Sequence, residues 1–251
     1  MRIVVVGGTG LIGSALVELL REAGHEAVPA SPSTGVNTLE GTGVAEALTG
    51  TDVVVDVTNS PSFEDGPVLD FFTRSTRTLL AAEREAGVGH HVALSIVGTD
   101  RVPGSGYLRA KVAQEELIRA GGVPFSLVRA TQFFEFLGAI AAGSTQEGVV
   151  VLPAADLQPV AAAEVSAVLA EVAAGAPSGG HVDLAGPDRR PFAEFVGPVL
   201  AAQGDDRPVR SDAGACYFGA VLEQDSLVPT GEARIAPTGF EAWLSRQPAH
   251  A

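Results

Sequence analysis

The chain is poor in the residues from which special sites are usually built. Among its 251 residues there is one cysteine, Cys216, and one lysine, Lys111. A single cysteine excludes an intrachain disulfide and any set of thiols that could hold zinc. Cys216 is expected to be a small buried hydrophobe. His90-His91 have no carboxylate at ligand spacing, so they read as structural or solvated and no metal site is expected. Basic runs are absent and the formal net charge is −14. Such a surface repels polyanions, which excludes nucleic acid and anionic membrane as expected partners. No stretch approaches the roughly 18 uncharged apolar residues of a membrane span. The opening MRIVVVGGTG carries an apolar run too short for a signal peptide, so a cytoplasmic location is expected.

What is present suits a packed enzyme-like globule: 46% hydrophobic and 18% charged residues. A chain of this length buries roughly 70–75% of its unfolded surface and needs no staple. Short apolar runs alternate with helical segments. Ile3–Val6, Glu26–Val28, Asp52–Val57, His91–Ser95 and Phe125–Val128 read as strands. Leu11–Ala23, Val44–Leu48, Val68–Ala86 and Leu108–Ala120 read as helices. The rhythm predicts an α/β fold with a doubly wound parallel sheet up to about residue 142. Beyond it, Val149–Leu152, Gln158–Val160 and His181–Leu184 read as short strands, and Ala162–Ala173 and Phe192–Ala202 as helices. Residues 204–239 are rich in Gly and Pro. The expectation is one domain over residues 1–251, in which about 143–251 form a smaller lobe over the carboxyl edge of the sheet.

Gly8-Thr9-Gly10-Leu11-Ile12-Gly13 matches G-x-G-x-x-G, directly after the first strand and opening the first helix. That context is the one in which the pattern binds a dinucleotide, as in Rossmann-type folds. Glycines allow the tight turn and the approach of backbone to a pyrophosphate, and the helix N-terminus offers free N–H groups. Gly7 through Gly13 are therefore the first cofactor candidates. The carboxylate usually found about 20 residues on, which binds the ribose of NAD, is missing. Ser31, Ser33 and Thr34 stand there and could donate to a 2′-phosphate, although no Arg or Lys lies between His25 and Gly50. NADP(H) is favoured over NAD(H). Thr58, Asn59 and Ser60 follow the third strand and could contact the adenine–ribose half, or form only a turn.

Tyr107 and Lys111 are four residues apart at the start of a helix, so phenol and ammonium share a face. A nearby cation would lower the phenol pKa toward the range useful in proton transfer. Ser95 ends a strand at the carboxyl edge, where its hydroxyl could bind a substrate oxygen. Phe133, Phe134 and Phe136 follow the fifth strand and read equally as an apolar pocket wall or as core.

Taken together, GGTGLIG, Ser95 in ALSIVGTDRVP, YLRAK and RATQFFEF resemble the atypical short-chain dehydrogenase/reductases of the NmrA-like, NAD(P)H-binding group. The resemblance implies a reductase of a small carbonyl, quinone or enone substrate. Tyr107 would be the acid/base, Lys111 would bind the nicotinamide ribose and lower the tyrosine pKa, and Ser95 would orient the substrate. The group also includes dinucleotide-sensing regulators, which is one alternative; a cofactor-retaining isomerase or epimerase is a second, because the same triad serves transient oxidation. The long helix Val68–Ala86 could support a homo-oligomer.

Overall fold

The computed structural model describes residues 1–247. Along the chain run β1 (Arg2–Val6), α1 (Leu11–Glu22), β2 (Glu26–Ala30), α2 (Val44–Leu48), β3 (Val53–Asp56), α3 (Asp65–Ala86), β4 (His90–Ile96), α4 (Gly106–Ala120) and β5 (Phe125–Ala130). Then come α5 (Leu137–Gly143), β6 (Thr145–Gln146), β7 (Val149–Pro153), β8 (Asp156–Leu157), α6 (Ala162–Ala174), β9 (His181–Ala185), β10 (Arg190–Pro191) and α7 (Phe192–Ala202). The rest are β11 (Val209–Asp212), β12 (Cys216–Tyr217), β13 (Ala220–Val221), β14 (Arg234–Ile235) and α8 (Phe240–Leu244).

A seven-stranded parallel sheet has the order β14-β9-β5-β4-β3-β1-β2, a Rossmann-type doubly wound arrangement. From β1 the chain steps out to β2, then returns across β1 to β3. The reversal therefore lies between β1 and β3, where ligands bind in open α/β sheets. Register aligns the strand ends: Val6 lies opposite Ala30 and Asp56, and Asp56 opposite Ala93. One edge consequently receives the segments beginning at Gly7, Ser31, Val57 and Leu94.

The chain divides into two compact units. The first comprises Met1–Ser95, Gly106–Arg129 and Ala163–Val182; the second comprises Ile96–Ser105, Ala130–Ala162 and the described chain from Asp183 onward. In the first unit Ile3, Val4 and Val5 of β1 are wholly buried. With both faces covered, the strand needs apolar residues in succession and shows no alternation. Helix α1 buries Ile12, Leu16, Val17 and Leu20, the stripe that helical periodicity dictates. Helix α3 starts at Asp65, one turn before the first apolar residue of its stripe, Val68. Its first turn holds Asp65, Gly66 and Pro67, and proline is tolerated there because no N–H is needed. The two histidines are structural: His91 Nδ1 lies 2.8 Å from Glu83, and His90 Nε2 2.9 Å from Ser126 Oγ.

In the second unit β7 lies between β6 and β11. An aromatic core joins Phe134, Phe195, Phe240 and Trp243, with ring centroids 5.0–5.7 Å apart across the closest pairs. Two expectations are corrected here. The strand anticipated at Gln158–Val160 lies earlier, at β8, because Pro159 has no N–H to give to a ladder; Val160 makes only an isolated bridge to Phe133. Cys216 is exposed, not buried, since it sits on the two-residue ribbon β12, paired only with β13. Among the described residues, no helix is long and apolar enough to cross a membrane.

Candidate functional site

The turn after β1 is held together by its glycines. A Cβ on Gly13 would lie 2.2 Å from the Gly7 carbonyl oxygen, and one on Gly8 2.6 Å from that of Val5. Gly7 adopts φ +83 and packs against the backbone of Val57 and Thr58. These three glycines are thus required by the packing of helix, turn and strand on one another. Gly10 differs. It is exposed, has φ −85, and a Cβ there would meet nothing nearer than 3.4 Å. Thr9 and Leu11 beside it are also exposed, while Ile12 turns inward. No side chain caps α1 and no acidic residue occupies its first turn. The first intrahelical donor is Ser14, to the Gly10 carbonyl. The amides of Leu11, Ile12 and Gly13 precede that bond and are directed out of the helix end.

The turn after β2 is a closed box of hydroxyls. Thr34 Oγ1 accepts the Ser31 N–H at 2.9 Å, and the Ser31 and Ser33 hydroxyls lie 2.8 Å apart. Ser31 is buried, whereas Ser33 and Thr34 are exposed. After β3, the carboxylate of Asp56 accepts both the N–H and the hydroxyl of Thr58, at 2.9 and 2.7 Å. Asn59 is exposed, and its Oδ1 accepts the Ser60 N–H at 2.9 Å and the Tyr107 phenol at 3.2 Å.

Tyr107 and Lys111 meet on one wall, the Phe72 ring. The Tyr107 ring centroid lies 6.2 Å from that of Phe72, and Lys111 Nζ stands 4.4 Å over it. Phe63 adds an edge-on contact to Tyr107 at 5.2 Å. Burial pushes the Tyr107 phenol up to about 12, with the Asn59 hydrogen bond opposing. The expected lowering by Lys111 is not met, because that ammonium is committed elsewhere. Lys111 is 3% exposed; its Nζ donates to the Leu94 carbonyl at 2.9 Å and to Gln114 Oε1. Burial draws its pKa down to about 8, against the opposing charges of Asp56 and Glu115.

Ser95 is also placed in a buried network. Its hydroxyl donates to Glu115 Oε1 at 2.6 Å. Glu115 accepts from Arg129 Nε at 2.9 Å and from the Arg129 and Arg119 guanidinium ends at 2.7 and 2.8 Å. Burial raises the Glu115 pKa, but Arg129, Ser95 and Arg119 together hold it below the usual range.

Asp56, Gln114, Glu115 and Arg129 were not singled out by motif. Their signals were present: Gln114 and Glu115 stand three and four residues after Lys111, on its helix face, and Asp56 and Arg129 interrupt apolar strand runs. In the second unit Phe134 is 1% exposed and belongs to the aromatic core, whereas Phe136 is 44% exposed and stacks on Phe133 at 5.4 Å.

A family model described as NAD(P)H-binding matches residues 7–174. Among solved structures, MoeE5 in complex with UDP-glucuronic acid and NAD superposes with TM-score 0.76 at 18% identity, over 98% of this chain and 97% of that one. The UDP-glucose 4-epimerase of Thermus thermophilus in complex with NAD gives TM-score 0.69 at 20% identity, over 90% and 92% of the two chains. The NADPH-dependent quinone oxidoreductase QOR2 of Escherichia coli, complexed with NADPH, gives 0.64 at 19%, over 84% and 78%. A comparison with curated proteins found no match. Identities this low carry the fold alone. The family match starts within the glycine turn and spans more than half of the chain, which therefore belongs to the NAD(P)H-binding family.

Proposed function

We propose that this protein is an NAD(P)H-dependent reductase of a small carbonyl, quinone or enone substrate, with a preference for NADP(H). The observation that carries the reading is Gly10. Nothing in the protein's own packing demands a glycine there, yet a side chain would stand over the uncapped amides of α1. A pyrophosphate fits those amides, and Gly8 to Gly13 would hold it. The bound dinucleotide would supply hydride. At the end of β2 no carboxylate opposes a 2′-phosphate, and the exposed Ser33 hydroxyl stands nearby in sequence to receive it.

Tyr107 would be the proton donor. A phenol pushed up to about 12 stays protonated at neutral pH, the state from which it can give a proton to substrate oxygen. An alkoxide is a stronger base than a phenolate and takes that proton. Lys111 would face the nicotinamide ribose. A second reading, a dinucleotide sensor without turnover, draws support from one observation: the Ser95 proton is committed to Glu115.

The test compares Gly10→Leu with the native chain. The variant is expected to keep its thermal unfolding temperature and lose at least tenfold in NADPH affinity by calorimetry. Undiminished binding would remove the dinucleotide site from this turn. Net NADPH consumption with a quinone or enone separates the reductase from the sensor and the epimerase.

A further inference from the structure

Helix α4 buries a polar face: Lys111, Gln114 and Glu115 are 3%, 2% and 1% exposed. The proposed reaction uses only the first of these. Gln114 Oε1 accepts from Lys111 Nζ, and Gln114 Nε2 donates to Asp56 Oδ2 at 3.0 Å. Asp56, at the end of β3, is 1% exposed.

We propose that Gln114 is a positioning residue for Lys111, its amide clamped between the Asp56 carboxylate and the Lys111 ammonium so that the lysine is held aimed and charged. An ammonium only donates and a carboxylate only accepts, so the group between them must accept at one end and donate at the other. A glutamine amide does both. A carboxylate would have no proton for Asp56, and a thioether would serve neither. The clamp works beside the Leu94 carbonyl of β4, the Phe72 ring of α3 and, on its own helix, the Glu115 carboxylate, itself held by two arginines. Burial in this setting disfavours the charged amine.

The chain contains one lysine, so its titration can be read without assignment. Protein labelled with 13C at lysine Cε gives one signal whose midpoint is that of Lys111, expected near 8. Gln114→Met is expected to move the midpoint down by about one pH unit, and Gln114→Glu to move it up by a similar amount. Both substitutions disturb packing, but only a direct role at the ammonium reverses the sign. Midpoints that stay unchanged in the variants, or move in the same direction in both, overturn the proposal. Should Gln114→Met not fold, the upward shift in Gln114→Glu decides alone. The consequence for binding rests on the reading of Lys111 as the ribose-facing cation. NADPH affinity at pH 7.5 is expected to follow the charged fraction of Lys111 across the three proteins. Shifted midpoints without that trend support the clamp and remove the ribose role.

Discussion

Tyr107 and Lys111 are opposite cases of one force acting on two charges. Desolvation penalises phenolate and ammonium alike, so it raises the first pKa and lowers the second. At neutral pH the phenol holds its proton firmly, while the lysine titrates near physiological pH. A reductive reaction that needs both the phenol and the charged amine should therefore lose rate with a midpoint near pH 8, the limb belonging to Lys111. Tyr107 adds no limb until about 12, whereas an unshifted phenol would lose its proton around pH 10. Tyr107→Phe is expected to lower reductive turnover on the order of 100-fold or more, with NADPH affinity retained and the pH 8 midpoint in place. Steady-state rates from pH 6 to 10 in both proteins check this, and a turnover left intact in the variant removes the tyrosine from the chemistry.

At the scale of elements, α4 departs from a simple apolar stripe. Most helices bury an apolar stripe, but this one sends Lys111, Gln114 and Glu115 inward along with Leu108, Ala110 and Ile118. It can do so because β3, β4 and β5 each supply a partner: Asp56, Ser95 and Arg129. Breaking a buried pair leaves a charge unpaired, so Glu115→Ala should cost about 3–5 kcal/mol by urea denaturation. Ser95→Ala should cost about 1.5–3 kcal/mol, through the hydrogen bond to a charged group that it removes. The pH dependence follows from the sign of the shift. The folded Glu115 pKa lies below its unfolded value, so the stabilisation is complete above the ordinary glutamate pKa and is lost as pH falls through the depressed one. Native unfolding midpoints should therefore decline in acid more steeply than those of Glu115→Gln; parallel curves would show that Glu115 contributes no linkage.

At the scale of the whole molecule, a net charge of −14 opposes the approach of a dinucleotide that is itself anionic. The helix end that would receive it offers only partial charge, and its field fades within a turn. Salt screens the long-range repulsion once the Debye length falls to about 10 Å near 0.1 M. The association rate of NADPH should accordingly rise several-fold between 10 and 150 mM salt, and more for NADPH than for NADH. Stopped-flow fluorescence reads both rates. A rate that falls with salt would reveal a positively steered entry that the charge distribution does not suggest.

Local chemistry was enough to reveal the frame. Covered strands need successive β-branched residues, helices need a stripe, and a turn between them that must pack within 3 Å of backbone needs glycine. Each of these demands is met by neighbours in the chain, so Ile3–Val6, Leu11–Ala23 and Gly7–Gly13 could be read in order. The commitments of the polar groups could not. Whether the Ser95 proton goes to a ligand or to Glu115, and whether Lys111 faces solvent or Gln114, depends on partners 20 and 3 residues away and, for Asp56 and Gln114, 58 residues away. Only tertiary packing brings β3, β4, β5 and α4 together and removes water from between them. That loss of solvent, which no linear pattern records, raises the Tyr107 phenol, lowers the Lys111 ammonium and decides which side chain holds which charge.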